Sequence, residues 1–399
     1  MAPRSTRPAA TANKLINVMT LDCEQPTNDK GEKRLYFGPI SYFPNGKEMI
    51  EGSPNKWVRR WDLQTSEEIV EARVVCEREV WAVAASSDSR WVITGGGDWD
   101  RDHLGELNAC EVETGMMKTF QGHSRTVTCI DVSVDNKLLA SGSTDCTARI
   151  WNLNTGKLVA GAFECVDMVG AVRFSQDSKK LAVKSGVDGR YLEVWDIQEE
   201  KLDAAKHGGG ILFNSPVFWT RKDKSIVAAF SFEDDFRNPM KIYEFDGSTL
   251  ETVSAPFEGQ TSDIIGLALS FDCAFLASAS YYGYVIKLWA FESRQLLASF
   301  DVHKPRTLIL SPNSRQLTYT TFDPSRIHIC DIPPDILARI WPEQATCSVC
   351  IFTAYIHLLS TNSSCRQLHL NIRTVLTHST YVTHHVLALI YITHPSSLL

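Results

Sequence analysis

The chain repeats one pattern of apolar and polar residues seven times. Each copy ends with an apolar segment that finishes on Trp, Tyr or Cys and one further residue, and these pairs lie 41 to 49 residues apart. The pairs are Trp61-Asp62, Cys110-Glu111, Trp151-Asn152, Trp195-Asp196, Tyr243-Glu244, Trp289-Ala290 and Cys330-Asp331. A regular period of this length predicts stacked copies of one supersecondary unit.

Each copy also contains an alternating segment and, after a polar turn, a second apolar run. Residues 127–133 (VTCIDVS) and 138–143 (LLASGS) show this pattern. Period-two alternation bounded by Asp, Asn, Ser and Gly is typical of β-strands. We therefore expect an all-β fold, a seven-bladed β-propeller of four-stranded antiparallel blades, in which each sheet is covered by its neighbours around an axis.

The third copy, residues 122–158 (GHSRTVTCIDVSVDNKLLASGSTDCTARIWNLNTGKL), resembles the WD40 repeat over its whole length. Up to residue 343 the chain also resembles the stand-alone WD40 proteins of large fungal families. This resemblance implies a ring that is closed by an N-terminal strand, which avoids an exposed sheet edge. The apolar segment at residues 15–21 (LINVMTL) is the candidate closing strand.

These patterns predict three parts of the chain: a disordered N-terminus at residues 1–14, a propeller at 15–342, and an atypical, irregular tail at 343–399. The blade-closing strands are expected to end near residues 61, 110, 151, 195, 243, 289 and 330. From residue 345 onwards there is no Asp, Glu or Lys, and six of the eleven histidines lie there. We interpret this tail as a disordered, translated non-coding stretch, with a zinc site at Cys347, Cys350, Cys365 and His369 as the alternative.

The resemblance assigns a structural role to four residues of the third copy. In WD40 proteins the Trp of the closing strand packs between blades and can join a His, a Ser and an Asp in a hydrogen-bonded chain. The residues at these positions are His123, Ser141, Asp145 and Trp151. A hydrolase triad is the competing interpretation, but a nucleophile needs an accessible Ser, whereas the repeat buries these groups between sheets.

The resemblance also places partner binding on the rim of the central channel at one face. The rim positions are the residue after the first apolar position of each inner strand and the residue before the turn Asp. The candidates chosen for partner binding are Trp81, Thr128, Thr144, Ile265, Tyr281 and Arg306, and the same positions in other copies are Gly38, Gly170 and Ser215. Aromatic residues and Arg contribute most to interface energies, which favours Trp81, Tyr281 and Arg306.

Composition narrows the possible partners. A net charge of −7 and a pI near 5.9 argue against nucleic acid. No secretory signal and no apolar run of about eighteen residues is visible, so we expect no membrane span. Eight cysteines scattered between residues 23 and 330 favour an intracellular protein, cytoplasmic or nuclear.

The glycine-rich segments lack the Lys of a P-loop, and the acidic run at residues 233–235 fits a solvated loop, so no cofactor and no metal is expected.

The function predicted from these features is a protein-interaction scaffold or adaptor that binds proteins or peptide segments at the channel face. We expect a monomeric propeller within a larger complex and no enzymatic activity. A substrate receptor of a ubiquitin ligase and a chromatin reader remain open as special cases. A propeller enzyme would need acids and bases in the channel, where the candidate positions offer mainly Thr, Gly, Ile, Trp and one Arg.

Overall fold

The computed structural model of the protein describes residues 14–23, 38–53, 55–69, 74–98, 105–186, 191–208, 216–220, 223–232, 240–260, 262–280, 282–322 and 325–341. Among these residues the structure is almost entirely β-strand, with one short α-helix near its C-terminal end. The tail predicted at residues 343–399 and most of the predicted N-terminal segment lie outside the described residues.

The strands of the first half of the chain are β1 (Ile16–Asp22), β2 (Ile40–Tyr42), β3 (Glu48–Gly52), β4 (Trp57–Asp62), β5 (Glu67–Glu68), β6 (Val74–Val75), β7 (Val80–Ala85), β8 (Trp91–Gly96), β9 (Glu106–Glu111), β10 (Met117–Thr119), β11 (Val127–Val132), β12 (Leu138–Ser143), β13 (Thr147–Asn152), β14 (Leu158–Glu164), β15 (Val169–Phe174) and β16 (Lys180–Ser185). The remaining elements are β17 (Tyr191–Asp196), β18 (Lys201–His207), β19 (Val217–Trp219), β20 (Ser225–Phe230), β21 (Lys241–Asp246), β22 (Ile264–Leu269), β23 (Phe275–Ser280), β24 (Val285–Ala290), β25 (Leu296–Asp301), β26 (Pro305–Leu310), β27 (Gln316–Phe322), β28 (Ser325–Asp331) and α1 (Pro334–Ile340).

These strands form seven antiparallel sheets in a ring, which confirms the predicted propeller. Blade 1 contains β2 to β6, blade 2 β7 to β10, blade 3 β11 to β14, blade 4 β15 to β18, blade 5 β19 to β21, blade 6 β22 to β25, and blade 7 β26 to β28 with β1. Neighbouring blades contact each other through their inner strands, except that the second strand β20 of blade 5 contacts the inner strand β22 of blade 6, and β26 of the last blade contacts β2 of the first. The ring is therefore closed.

The N-terminal strand completes blade 7. β1 pairs antiparallel with β28 from Ile16 opposite Asp331 to Asp22 opposite Arg326. The Leu21 side chain is 2% exposed and belongs to a core cluster that includes residues of blades 1 and 7. A hydrogen bond of 3.2 Å from Arg59 Nη2 to the Asp22 carbonyl ties this strand to blade 1.

Close contact between neighbouring blades depends on one small-residue position in the second strand. A Cβ atom added to Gly142 would lie 2.3 Å from Val169 Cγ1 of blade 4, and one added to Gly95 would lie 2.8 Å from Val127 Cγ1 of blade 3. Side chains from the inner strand of the next blade occupy this space. The facing sheets are consequently packed as densely as a protein interior, and there is no room for an added methyl group.

Blade 5 departs from the regular pattern at its outer edge. Two isolated bridges, Phe245–Thr252 and Ile242–Phe257, take the place of a continuous outer strand. The register also corrects the closing pair read from the sequence. Ile226 faces Phe245 just as Leu139 faces Trp151 in blade 3, so Phe245 and not Tyr243 occupies the position of the closing Trp. Both are aromatic, and only the pairing distinguishes them.

The short helix α1 follows blade 7 and packs on the ring. The Ile336 side chain is fully buried, and Arg339 Nη1 donates a 3.1 Å hydrogen bond to the Leu297 carbonyl of β25. This helix thus extends the packed part of the ring to residue 340.

Candidate binding channel and the polar chains between blades

A cavity of about 670 Å³ runs along the axis of the ring. Residues from the inner strands of all seven blades line it, from Ile40 of β2 to Ile309 of β26. A volume of this size lies within the range of about 300–1,000 Å³ that is typical of ligand sites in proteins. The channel is therefore large enough to accept several side chains of a partner.

Five of the six candidate partner-binding residues line this cavity. They are Trp81, Thr128, Thr144, Ile265 and Arg306, and Gly170 lines it as well. Tyr281 and Ser215 lie outside the described residues. Gly38 precedes the lining residue Pro39, and its carbonyl lies 3.5 Å from Thr307 Oγ1.

The polar atoms of these residues bond to the channel wall itself. Thr128 Oγ1 donates to the Gly142 carbonyl at 3.1 Å and also contacts the Val169 carbonyl of blade 4. Trp81 Nε1 donates to the Gly97 carbonyl at 3.1 Å. Since these donors are occupied, Trp81 and Thr128 present mainly carbon atoms to the cavity.

Arg306 is more enclosed than an exposed binding anchor. Its residue exposure is only 4%, although it lines the cavity. Truncating such a side chain would disturb the packing of the wall as well as any partner contact. Replacing Arg306, one of the residues favoured from the sequence, would therefore not test binding without damage to the fold.

The sequence interpretation missed a second arginine in the channel. Arg173 Nη1 lies 2.9 Å from Asp131 Oδ1, and Arg173 Nε donates to the Val217 carbonyl at 3.4 Å. Burial raises the pKa of Asp131, and the Arg173 charge opposes this rise. Arg173 is the fifth residue of its inner strand, whereas the family pattern directs attention only to the start of each inner strand.

The structure brings the four predicted tetrad residues of blade 3 together. His123 Nε2 and Trp151 Nε1 each lie 2.8 Å from Ser141 Oγ, and His123 Nδ1 lies 2.9 Å from Asp145 Oδ2. Burial alone would raise the pKa of Asp145, but the hydrogen bonds from His123, Thr147 and the Ser124 amide outweigh it and hold that pKa below its usual value. Ser141 is fully buried and His123 is 2% exposed, which fits a structural role.

Other residues stand in for His123 in three further blades. His123 precedes the first residue of its inner strand by four positions, and Cys76, Cys165 and Gln260 have the same offset in blades 2, 4 and 6. In blade 6, Gln260 Nε2 contacts Ser278 Oγ, which also accepts a 3.2 Å bond from Trp289 Nε1. This is a shortened form of the hydrogen-bonded series of side chains in blade 3.

Two blades have a carboxylate in their polar chain. Glu193 of blade 4 occupies the position of Arg149 in blade 3, and Glu51 of blade 1 occupies the position of Ser141. In blade 4, Trp195 Nε1 donates to Glu193 Oε2 at 3.1 Å, and Glu193 also bonds to Cys165. In blade 1, Glu51 Oε2 accepts from Trp61 Nε1 at 3.2 Å and from Arg59 Nη2 at 2.7 Å. Burial raises the pKa of Glu51, and the Arg59 charge lowers it in part. Apolar packing is thus supplemented by polar chains outside blade 3, which the sequence comparison of single copies did not reveal.

Within the part of the chain that the structure describes, no group of three or more His, Cys, Asp or Glu side chains could hold a metal ion. The acidic run at residues 233–235 and the Cys/His spacing of the tail lie outside that part. None of the described helical residues belongs to a segment long and apolar enough to cross a membrane.

Comparison with known proteins agrees with the architecture. The family model of the WD domain, G-beta repeat, matches residues 74–102 and 115–152, which belong mainly to blades 2 and 3. The chain is a seven-bladed β-propeller that contains WD40 repeats. Blades 4, 5, 6 and 7, and blade 1 apart from β6, lie outside the two matched ranges.

Several curated proteins are similar over part of this chain. They include the WD repeat-containing protein fzy-1 of Caenorhabditis elegans (27% identical over 34% of this chain), the protein groucho of Drosophila melanogaster (28% over 35%) and the eukaryotic translation initiation factor 3 subunit I of Debaryomyces hansenii (37% over 30%). The matches cover 31%, 18% and 34% of the lengths of these relatives.

Proposed function

We propose that this WD40 propeller is an interaction scaffold that binds segments of partner proteins at the mouth of its central channel. The observation that carries the proposal is the cavity of about 670 Å³ with walls from all seven blades. Its candidate residues Trp81 and Thr128 have their polar atoms bonded to the wall. A partner side chain can therefore bury apolar surface there without leaving these donors unpaired.

The closed ring suits a scaffold. Interlocked blades and the paired strands β1 and β28 hold the channel residues in fixed positions. A preorganised surface lowers the entropy that is lost when a partner binds. Among the relatives, the initiation factor protein is by its name a subunit of a larger factor, which supports a role for this chain within an assembly.

Binding is favoured over catalysis by the chemistry of the channel. The charged side chains among its described lining residues are Arg173 and Arg306. General acid–base catalysis needs a proton donor and acceptor at hydrogen-bond distance from a substrate, and arginine remains protonated in proteins. The Ser and His of blade 3 are buried between sheets and do not line the cavity.

The test is to select peptides that bind the full chain and then to alter the channel. A phage-displayed library of random short peptides is selected on the immobilised protein, and the recovered peptides are labelled with fluorescein for polarisation measurements. We expect Trp81→Ala/Ile265→Ala to weaken their binding at least about tenfold, because the partner loses apolar contact area worth about 1.5–3 kcal/mol.

The matched control is Leu158→Ala/Val159→Ala on the outer strand β14, where both side chains are exposed. This variant should bind the peptides as the unaltered protein does, and both variants should retain its circular dichroism spectrum. Peptides that bind the channel variant undiminished, or that lose affinity for the β14 variant alone, would contradict the proposal.

A further inference from the structure

We propose that the channel selects acidic segments, in which an Asp or Glu carboxylate lies next to an apolar side chain. This inference rests on the proposed function, since it names the chemistry of the partner that enters the same cavity. The two charged side chains among the described lining residues, Arg173 and Arg306, are both cationic. The remaining described lining residues are apolar, apart from three threonines and one cysteine.

The two arginines lie at different depths of the channel. Arg306 is the second residue of β26, and Arg173 is the fifth residue of β15. All inner strands run in the same direction along the axis, because each follows the same kind of connection from the preceding blade. At about 3.3 Å per residue, three positions separate the two side chains by roughly 10 Å along the axis. The two guanidinium groups therefore lie at different depths of the channel wall.

Arg173 is held by several contacts, yet it lines the cavity and its side chain stays partly exposed. Its Nη1 lies 2.9 Å from Asp131 Oδ1, and its Cζ lies 4.9 Å from the centre of the Phe218 ring. Asp131 is itself fixed, because its Oδ2 accepts a 2.8 Å hydrogen bond from the Phe174 amide. The Arg173 side chain is nevertheless 38% exposed, compared with 11% for Asp131. A planar guanidinium has five N–H donors, so one held in this way can still bind a carboxylate.

The apolar wall determines which anion fits. Met168, Val172 and Leu308 line the same cavity, and low-dielectric surroundings strengthen a charge-assisted hydrogen bond. A basic segment would be repelled, and a neutral one would cover the guanidinium without compensating its lost hydration. A carboxylate beside an apolar side chain satisfies both parts of the surface. The occupant is therefore an acidic, apolar peptide segment.

The test uses the fluorescein-labelled peptides that the library selection recovers. We expect these peptides to be enriched in Asp and Glu relative to the unselected library. Analogues with Asp→Asn and Glu→Gln should bind the unaltered protein about tenfold more weakly, because they lose a charge-assisted hydrogen bond to the guanidinium. Equal affinity of the acidic peptides and their neutral analogues would overturn the inference.

Two variants distinguish a charge effect from a structural one. Asp131→Asn removes the negative charge behind Arg173 while an amide oxygen can still accept from the Phe174 amide, so acidic peptides should bind more tightly. Asp131→Asn/Arg173→Gln removes both charges and should weaken the binding of acidic peptides about tenfold. A merely structural role of the pair would weaken binding in both variants, which would contradict the inference.

The outcome also separates this inference from the proposed function. Peptides that depend on Trp81 and Ile265 but show no acidic preference would refute the acidic selectivity and leave channel binding intact. Peptides indifferent to Trp81 and Ile265 would refute channel binding itself. If the double variant fails to fold, Arg173→Lys provides the comparison, since it retains the cation and should keep the preference for acidic peptides.

Discussion

Ser141 Oγ lies between an indole and an imidazole, and the direction of its hydrogen bonds follows from their chemistry. Trp151 Nε1 can only donate, so Ser141 accepts from it at 2.8 Å. Asp145 is held in its ionised form, so it accepts from His123 Nδ1 at 2.9 Å. With a neutral imidazole, Nε2 is then the acceptor of the Ser141 hydroxyl proton. One hydroxyl thus satisfies two buried nitrogen atoms.

Ser141→Ala should therefore be costly for a change that removes a single atom. Trp151 Nε1 and His123 Nε2 both lose their partner in a buried site, and we expect a loss of about 2–3 kcal/mol in the free energy of unfolding. Urea denaturation followed by tryptophan fluorescence measures the change. Ser124→Ala, whose side chain is exposed in the same blade, is the control and should change the free energy by less than about 0.5 kcal/mol.

The lowered pKa of Asp145 predicts a defined dependence on pH. An acid whose pKa is lower in the folded than in the unfolded state stabilises the fold above the unfolded value of about 3.9, and this contribution is lost as the pH falls towards the folded pKa. The melting temperature of Asp145→Asn should accordingly lie furthest below that of the unaltered protein near neutral pH. The gap should narrow below about pH 4.

Thermal unfolding at a series of pH values measures this gap. Asp301→Asn, at the exposed end of β25, is the matched control, for which we expect a small and nearly constant difference. A gap between Asp145→Asn and the unaltered protein that widens on acidification would be the opposite of the expected sign.

At the scale of strands, pairing register carries information that residue order alone does not. The alternation of residues 127–133 and the spacing of the closing pairs were enough to predict seven units. They could not show that Phe245 replaces the closing Trp of blade 5, because that assignment follows from its pairing with Ile226. The role of Glu51 in the polar chain of blade 1 could not be predicted from residue order either, since its bond to Trp61 joins the neighbouring strands β3 and β4.

The residues of the candidate site also differ in whether residue order alone could predict them. Trp81, Thr128 and Ile265 follow from a family position at the start of an inner strand, and all three line the channel. Arg173 lies at the other end of its strand and is paired with Asp131 of the preceding blade. Contacts between residues of different blades depend on the rotation from blade to blade, which no single copy of the repeat records.

The closing strand β1 gives a prediction at this scale. Leu21 is 2% exposed within the cluster that joins blades 1 and 7, whereas Val18 of the same strand is 52% exposed. Leu21→Ala should lower the free energy of unfolding by about 2–4 kcal/mol, because it removes buried methyl groups and leaves a cavity. Val18→Ala is the matched control and should have little effect.

Urea denaturation measures both variants, and amide hydrogen exchange locates the damage. Exchange in Leu21→Ala should accelerate first in β28, whose amides pair with β1. A uniform acceleration in all blades would show that β1 does not open before the rest of the ring. An unchanged midpoint of urea denaturation would contradict the role of Leu21 in holding β1 between blades 1 and 7.

At the scale of the whole molecule, the described ring contains all the elements that its closure needs. The seven sheets, β1 included, and the helix α1 lie between residues 16 and 340. Ile336 is fully buried and Arg339 bonds to β25, so the packed unit includes α1. Cooperative unfolding of the ring should then depend on residues up to the end of this helix.

Two truncations test this limit. A chain that ends at residue 341 should unfold at the same urea concentration as the full chain and bind the selected peptides equally well. A chain that ends at Ile332 should unfold at a lower concentration, because it lacks the buried Ile336 side chain, whose removal costs about 2–4 kcal/mol. If the chain ending at residue 341 were less stable than the full chain, residues 342–399 would have to contribute to the fold, and the boundary proposed at residue 342 would be wrong.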